Sequence, residues 1–412
     1  MIERPSDILT GRTRSLLADD ILAQTERLAV ALENRSCLII GGAGSIGSQT
    51  TELLSSYRLS ALTIVDHDEN GLARLMRRLR GRETPVAARN ISTLPLDYGS
   101  PAFQAAIETS DRFDFILNFA ALKHVRSEKD VWSTFQMFDT NILKQADLIN
   151  TLAEHSPKSR FFSVSTDKAA DPVSFMGATK RLMEHTIFQL SKQAGFERGA
   201  TSARFANVAY SQGSLLESFV NRLDAGVPLA APIDIRRYFM SIEEAGELCL
   251  LAAILGEAGK IYVPDLDAET HLITMQSAAE RFLRANGFQA IPFVLDRQAQ
   301  AFREMQQLRK NDQWPLILTP ADTAGEKPYE EFVGDGEVAN ATAFSALQAI
   351  DYAPGPELST LNTFLDKLRD TRSSRAALSR LTSETLMDWV AELEPAFRQS
   401  HIPSGLRLDD RI

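Results

Sequence analysis

Cysteine is scarce: Cys37 and Cys249 are the two thiols in 412 residues. Two cysteines make no disulfide framework, and a reduced, cytoplasmic protein is the simpler expectation. No apolar run approaches the ~20 residues of a membrane span. The longest, around Cys249 to Leu255, is far too short, and the N-terminus lacks the apolar core of a signal peptide. The six histidines show no ligand-like spacing, so no metal is expected. Positive charge is in deficit, with 44 Lys and Arg against 54 Asp and Glu and a formal net charge of −10. That balance argues against broad, nonspecific nucleic-acid binding. Internal repeats, low-complexity segments and long linkers are also missing. What remains is an ordinary globular composition, 44% hydrophobic and 24% charged, in a chain long enough for two or three domains.

Glycine is sparse but concentrated where it matters. Gly41-Gly42-Ala43-Gly44-Ser45-Ile46-Gly47 follows the apolar run Cys37-Leu38-Ile39-Ile40, which reads as a buried parallel strand, and precedes a helical stretch from Ser48 to Leu54. A strand, a glycine turn and a helix N-terminus form a phosphate cradle: glycines let the backbone approach a pyrophosphate, and the helix end offers unpaired N–H groups. The spacing fits both G-x-x-G-x-x-G (Gly41, Gly44, Gly47) and G-x-G-x-x-G (Gly42, Gly44, Gly47). A second strand, Leu62-Thr63-Ile64-Val65, ends in Asp66, about 20 residues beyond the last glycine, where an acid bonds the ribose hydroxyls of a dinucleotide. That carboxylate would repel a 2′-phosphate, and His67-Asp68-Glu69-Asn70 offers no arginine to receive one, so NAD is expected rather than NADP.

From Cys37 to about Asn207 short apolar runs alternate with helical stretches, the pattern of an α/β doubly wound parallel sheet. The expected strands are Cys37–Ile40, Leu62–Val65, a weak one at Pro85–Ala88, Phe115–Phe119, Phe161–Ser165 and Thr201–Phe205. Four regions follow: a helical lead-in (1–35) with Leu16, Leu17, Ile21, Leu22, Leu28 and Leu32 at roughly helical spacing; the dinucleotide-binding domain (36–207); a smaller substrate-binding lobe (208–337); and a helical C-terminal extension (338–412). The extension carries one stripe of Leu358, Leu361, Phe364, Leu365 and Leu368 and another of Leu386, Trp389, Val390 and Leu393. Pro354-Gly355-Pro356 is the clearest boundary signal. Asp97 sits where this fold often places an acid near the adenine; a plain surface turn fits the same residues.

In a doubly wound sheet ligands bind beyond the carboxyl ends of the strands. The fifth strand ends in Ser165-Thr166-Asp167-Lys168-Ala169, and Met176-Gly177-Ala178-Thr179-Lys180-Arg181 opens the next helix. Residue by residue, a solvated Asp-Lys loop pair and a surface lysine would account for them. Together with the glycine turn, Asn118-Phe119-Ala120-Ala121-Leu122-Lys123-His124-Val125, Arg237-Tyr238-Phe239-Met240 and Gly325-Glu326-Lys327, the chain resembles the extended short-chain dehydrogenase/reductase family. Within it the resemblance is to the UDP-N-acetylglucosamine 4,6-dehydratases of polysaccharide biosynthesis, over about residues 5 to 337, and to the soluble part of their larger membrane-anchored members.

The resemblance implies the chemistry. NAD(P)+ takes a hydride from C4 of the sugar, the 4-keto group acidifies the C5 proton, water leaves from C6, and hydride returns to C6. Asp167 would protonate the leaving hydroxyl, and Lys168 would take the C5 proton if burial or the neighbouring Lys180 lowered its pKa. Thr166 would bond the 4-hydroxyl, and Lys180 the nicotinamide ribose. The cofactor would also meet Gly41, Gly44, Ser45, Ile46, Gly47, Asp66, Asp97 and Ala120. Met176 stands where most of the superfamily has a catalytic tyrosine, as in some members of this branch, so oxidation at C4 needs another proton acceptor. Lys123, with His124, would line the substrate side, as would Asn207. No arginine precedes Gly325-Glu326-Lys327, which leaves Arg236 and Arg237 to clamp phosphates, unless they are ordinary surface residues. The family commonly dimerises through the lysine-bearing helix and the one before it, here about Gly177–Gln193 and Thr134–Ala153. Leu182, Ile187, Phe188 and Leu190 give the first of these several apolar sides, so a homodimer or larger closed assembly is expected. Rival readings are a nucleotide-sugar epimerase on the same scaffold and a non-catalytic dinucleotide-binding protein.

Overall fold

The structure is a computed structural model, and it describes residues 5–83, 85–123, 128–320, 325, 327–353 and 355–402. Its main sheet opens with β1 (Ser36–Ile40), β2 (Ala61–Val65), β3 (Asn90–Leu94), β4 (Phe115–Asn118), β5 (Arg160–Val164) and β6 (Ala200–Ala203). All six run parallel, and helices cross over between them, as parallel pairing requires. β1 is buried along its whole length because β2 and β4 flank it and helices cover both faces. The third strand is not at Pro85–Ala88. Those residues pass beneath the end of the first crossover helix, where the Ala87 and Ala88 N–H groups donate to Ser55 O. The strand forms at Asn90–Leu94 on the sheet edge, half-exposed and therefore polar at alternate positions.

Nor does the sheet stop at Asn207, where the alternating pattern fades. After β7 (Asn207–Val208), β8 (Leu229–Pro232) and β9 (Arg236–Met240), β10 (Lys260–Pro264) returns to pair parallel with β6. The chain then makes β11 (Leu272–Thr274), β12 (Gln289–Val294) and β13 (Gln313–Thr319), and adds β14 (Ala339–Ala341) and β15 (Leu347–Asp351) to the main sheet as antiparallel strands. The nine-stranded order is β14-β15-β10-β6-β5-β4-β1-β2-β3. Between these visits to the main sheet, β11-β9-β7 and β12-β13-β8 form two small sheets. They enclose a separate core of Phe219, Phe239, Phe282, Trp314 and Leu316.

Three short helices precede β1 (Pro5–Thr10, Ala18–Ala23, Thr25–Leu32); they bury Leu17, Leu28 and Leu32 but leave Leu22 exposed. The helix expected before the lysine helix is interrupted. Val131–Phe138 and Lys144–His155 are joined by a π-helical turn, Asp139–Leu143. The lysine helix itself runs Phe175–Gln193, started by Ser174, whose hydroxyl accepts the Gly177 N–H at 3.1 Å. Against these two helices lie the C-terminal helices Leu358–Ser373 and Ser383–Leu393, which bury Leu361, Phe364, Leu365 and Leu368 and Leu386, Val390 and Leu393. Among the described residues, no helix is long and apolar enough to cross a membrane.

Candidate active site

One cavity of about 1020 Å3 runs along the carboxyl ends of the strands, from the glycine turn to the small sheets. The turn occupies one end. Gly41 follows β1 with φ of 75°, and a Cβ there would run into the backbone of Phe119 and Ala120. A Cβ on Gly47 would strike the Gly41 carbonyl, whereas one on Gly44 would meet no atom nearer than 3.5 Å. Gly44 also caps the helix Ser45–Leu54 with no side-chain hydrogen bond, so the first N–H groups, at Ser45, Ile46 and Gly47, face the cavity. Asp66, at the end of β2, is buried on the same wall. Its carboxylate accepts the Ala43 and Asp68 N–H groups, each at 2.9 Å, and so braces the turn. Asp97 also lines this end from an exposed turn, where it accepts from Lys144 Nζ at 2.6 Å and from the Gly99 N–H at 2.9 Å. Burial would raise its pKa, but these two partners hold it below the ordinary value. Ala120 lines the wall opposite, fixed by its N–H bond to Asn118 Oδ1 at 2.9 Å.

The middle of the cavity gathers Ser165, Thr166, Lys168, Met176 and Lys180. They converge because β5 ends at Val164 and the next ten residues lead into the lysine helix. Thr166 caps a single 3-10 turn, Asp167–Ala169, and its hydroxyl donates to Asp167 Oδ1 at 2.8 Å. Lys168 Nζ donates to the same oxygen at 3.0 Å. Asp167 is buried and lies behind Thr166 and Lys168 rather than on the cavity wall. Lys180 Nζ donates to Val164 O at 2.5 Å, and burial brings its pKa down to about 8 against the pull of Glu184. Lys168 goes the other way. Burial favours the free amine, but the charges of Asp167 and Glu330 outweigh it and the net direction is upward. The expectation that burial or Lys180 lowers the Lys168 pKa is therefore corrected: a second carboxylate, Glu330, stands 3.8 Å from its Nζ. The Glu330 carboxyl is itself pushed up by burial, against the attraction of Lys168.

Of the two candidate arginines, Arg237 lines the cavity, with Nη1 donating to Arg236 O, Lys327 O and Pro328 O, while Arg236 is exposed and stacks over Tyr329 outside it. Lys123 and Asn207 line the cavity as well. His124 to Arg126, Thr323, Ala324, Glu326 and Pro354 lie outside the described residues.

The turn and its acid fit a dinucleotide: an uncapped helix end, an open Gly44 and a buried carboxylate at the end of β2 are the parts such a ligand needs. Residues 37–351 match a family described as polysaccharide biosynthesis protein. The chain belongs to that family. Its relatives include the capsular polysaccharide biosynthesis protein CapD of Staphylococcus aureus, 28% identical over 62% of this chain and 41% of that protein. An inverting UDP-N-acetylglucosamine 4,6-dehydratase of Campylobacter jejuni is 27% identical over 56% of this chain and 67% of that one. The chain thus spans less than half the length of CapD. Pen from Bacillus thuringiensis shares the fold, with a TM-score of 0.60 and 22% identity over 77% of this chain and 88% of that one.

Three residues of this family member went unread in the sequence. Asn141, in the π turn, accepts the Leu122 N–H at 2.8 Å and donates to Leu122 O at 2.9 Å and Thr179 Oγ1 at 3.0 Å. It ties the loop after β4 to the lysine helix, and a π turn at such a place is a common functional device. Glu128 accepts the Met176 N–H at 2.8 Å, and burial pushes its carboxyl up to about 7. Glu330 is the third. Helical periodicity marks none of them; the one available signal was that Glu330 follows Gly325-Glu326-Lys327 by three residues.

Proposed function

We propose that the chain is a nucleotide-sugar 4,6-dehydratase acting on a UDP-N-acetylhexosamine, UDP-N-acetylglucosamine first among them, with NAD as its cofactor. The observation that carries this reading is the Thr166–Asp167–Lys168 cluster, held within 3.0 Å contacts beside Lys180 in the cavity that begins at the glycine turn. A dinucleotide oxidoreductase that only moves hydride has no need of an acid and a base beyond the lysine. Elimination does, because a C5 proton must be removed and a C6 hydroxyl must leave as water. Both the family and the dehydratase relative support the substrate class.

When bound, NAD supplies the hydride acceptor for C4 and the hydride donor for C6. The protein moves the protons. Met176 has none to exchange, so the 4-hydroxyl proton passes to the Thr166 oxygen as that hydroxyl gives its own proton to Asp167 along their 2.8 Å bond. Asp167, now protonated, returns that proton to the Thr166 oxygen as the Thr166 hydroxyl delivers its own to the C6 oxygen, and water leaves. Lys168 takes the C5 proton and later returns it to the same carbon. Lys180 holds the nicotinamide ribose, Asp66 the adenosine ribose, and Arg237 with Lys123 and Asn207 the nucleotide-sugar phosphates and sugar. NAD is favoured over NADP because the buried Asp66 carboxylate at the end of β2 would repel a 2′-phosphate, and Lys144, at the same end, is paired with Asp97. The buried free thiols Cys37 and Cys249 suit a reducing cytoplasm. Incubation of the purified protein with UDP-N-acetylglucosamine and NAD, followed by mass spectrometry, tests the reading. Loss of one water supports it; an unchanged mass with an inverted C4 would make the protein an epimerase.

A further inference from the structure

Lys168 meets a difficulty of charge. To take the C5 proton it must first be a neutral amine, yet it stands between two carboxylates, with Asp167 Oδ1 at 3.0 Å and Glu330 Oε1 at 3.8 Å. Asp167 is engaged already by the Thr166 hydroxyl. Glu330 is not. It is 2% exposed, it lines the cavity, and among the described residues its Oε2 has no hydrogen-bond partner. Its nearest cations are Lys168 and Arg237 Nη2 at 4.0 Å, both beyond hydrogen-bonding reach. A buried carboxylate without a donor costs free energy unless it gains a proton or a partner during turnover. We propose that Glu330 is the proton acceptor for Lys168, releasing the amine that works on the sugar. This role rests on the dehydratase reading.

The step balances. Once the Lys168 ammonium has moved from 3.8 Å into hydrogen-bonding reach of Glu330, one of its N–H bonds breaks as an O–H bond forms on Glu330, and a buried ion pair becomes a neutral pair. The amine lone pair then takes the C5 proton, and the C5–H electrons pass into the enolate of the 4-ketone. After the C6–O bond has broken and C6 has received hydride, Lys168 returns its proton to C5 and recovers another from Glu330. Displacement of water by the sugar favours the neutral pair, since a drier site penalises the two charges more than the two neutral groups. Glu330 therefore touches the reaction through Lys168, as a positioning and proton-storing group.

The test compares the parent protein with Glu330→Gln, which keeps the shape and removes the acceptor. At neutral pH the variant should lose water from UDP-N-acetylglucosamine about 10²–10⁴ times more slowly, with its NAD affinity and melting temperature unchanged. The deficit should shrink as the pH rises from about 7 to about 10, because solvent then removes the Lys168 proton unaided. A purely structural loss would not be recovered by base. Glu330→Asp, which retains a proton acceptor, should recover part of the neutral-pH rate. A Glu330→Gln variant that dehydrates at the parent rate, or whose deficit is the same at every pH, overturns this role and leaves the dehydratase reading intact. A parent protein that never releases water overturns that reading, and the Glu330 role with it.

Discussion

Glu337 gives the sharpest quantitative expectation. It lies just before β14, and its carboxylate accepts from Arg204 Nη1 at 2.5 Å, Arg204 Nη2 at 2.9 Å, Arg181 Nη1 at 2.5 Å and the Gly334 N–H at 2.8 Å. Arg204 is fully buried and is shared with Glu184 of the lysine helix, at 2.8 and 2.7 Å. Burial alone would raise the Glu337 pKa, but the two arginines and the Gly334 N–H bring it from 4.5 to about 2. At ~1.4 kcal/mol per pH unit, that drop is worth about 3 kcal/mol of folding stability. A carboxylate held below its unfolded pKa stabilises at all pH above about 4.5 and stops doing so as the pH falls through about 2. Glu337→Gln should therefore cost about 3 kcal/mol at neutral pH, in line with the ~3–5 kcal/mol of halving a buried ion pair. The cost should vanish towards pH 2. Guanidinium unfolding of both proteins across a pH series reads the difference directly, and other titrating groups cancel between them. A neutral-pH cost below about 0.5 kcal/mol, or one that persists unchanged into acid, would refute the argument that Arg204 depends on this carboxylate.

The glycine turn separates folding from binding: Gly47→Ala should destabilise the fold because its Cβ strikes the Gly41 carbonyl, whereas Gly44→Ala should keep the parent melting temperature and lose NAD affinity. Calorimetric titration beside thermal melts checks both, and a Gly44→Ala protein that binds NAD normally would place the pyrophosphate elsewhere. NAD should bind more tightly than NADP, and Asp66→Ser should narrow the gap; tighter NADP binding by the parent would remove Asp66 from the ribose. Asp167→Asn and Lys168→Ala should each slow water loss by about 10²–10⁴ with NAD affinity retained. Of these, Lys168→Ala should still accumulate reduced nicotinamide in a single turnover, and both variants dehydrating at the parent rate would take the pair out of the chemistry.

What could be read in the sequence was what is local in the chain. Strand, glycine turn, helix, strand and acid occupy residues 36–66, and each imposes its own pattern: a run of buried apolar residues, glycines where side chains collide, an acid at a strand end. Thr166 to Lys180 were legible for the same reason, since one strand end and the start of the next helix must bring them together. Edge and returning strands were not. β3 faces water at alternate positions and looks like a loop, while the apolar run at Pro85–Ala88 is fixed to Ser55 instead. β10, β14 and β15 reach the sheet from residues 260–351, after a detour through two small sheets that no local pattern announces. Glu330 joins the site over a similar distance, whereas Asn141 is 38 positions from Thr179 and sits in a π turn that no helical pattern announces. A carboxylate 162 positions from Lys168 acquires meaning only when the fold sets them 3.8 Å apart.

The lysine helix shows the same logic at the level of surfaces. Leu182, Ile187, Phe188 and Leu190 lie on more than one face, all are buried, and so large an apolar surface does demand more cover than the sheet provides. In this chain the C-terminal helices provide it. Phe397 packs on Phe175 with ring centroids 5.5 Å apart, and Phe364 on Phe138 at 6.3 Å. Around those rings His185 and Arg181 contact Glu394 at 2.5 and 3.3 Å, and Arg369 and Arg372 reach Asp147 at 3.1 and 3.2 Å. The two helices through which the sequence led us to expect a dimer thus have these faces filled from within the chain. A second copy seated there would first have to displace the Leu358–Ser373 and Ser383–Leu393 helices, with their buried leucines and ion pairs. The consequence for the site is that Lys180 and Met176 ride on a helix that the C-terminal helices of the same polypeptide help to hold.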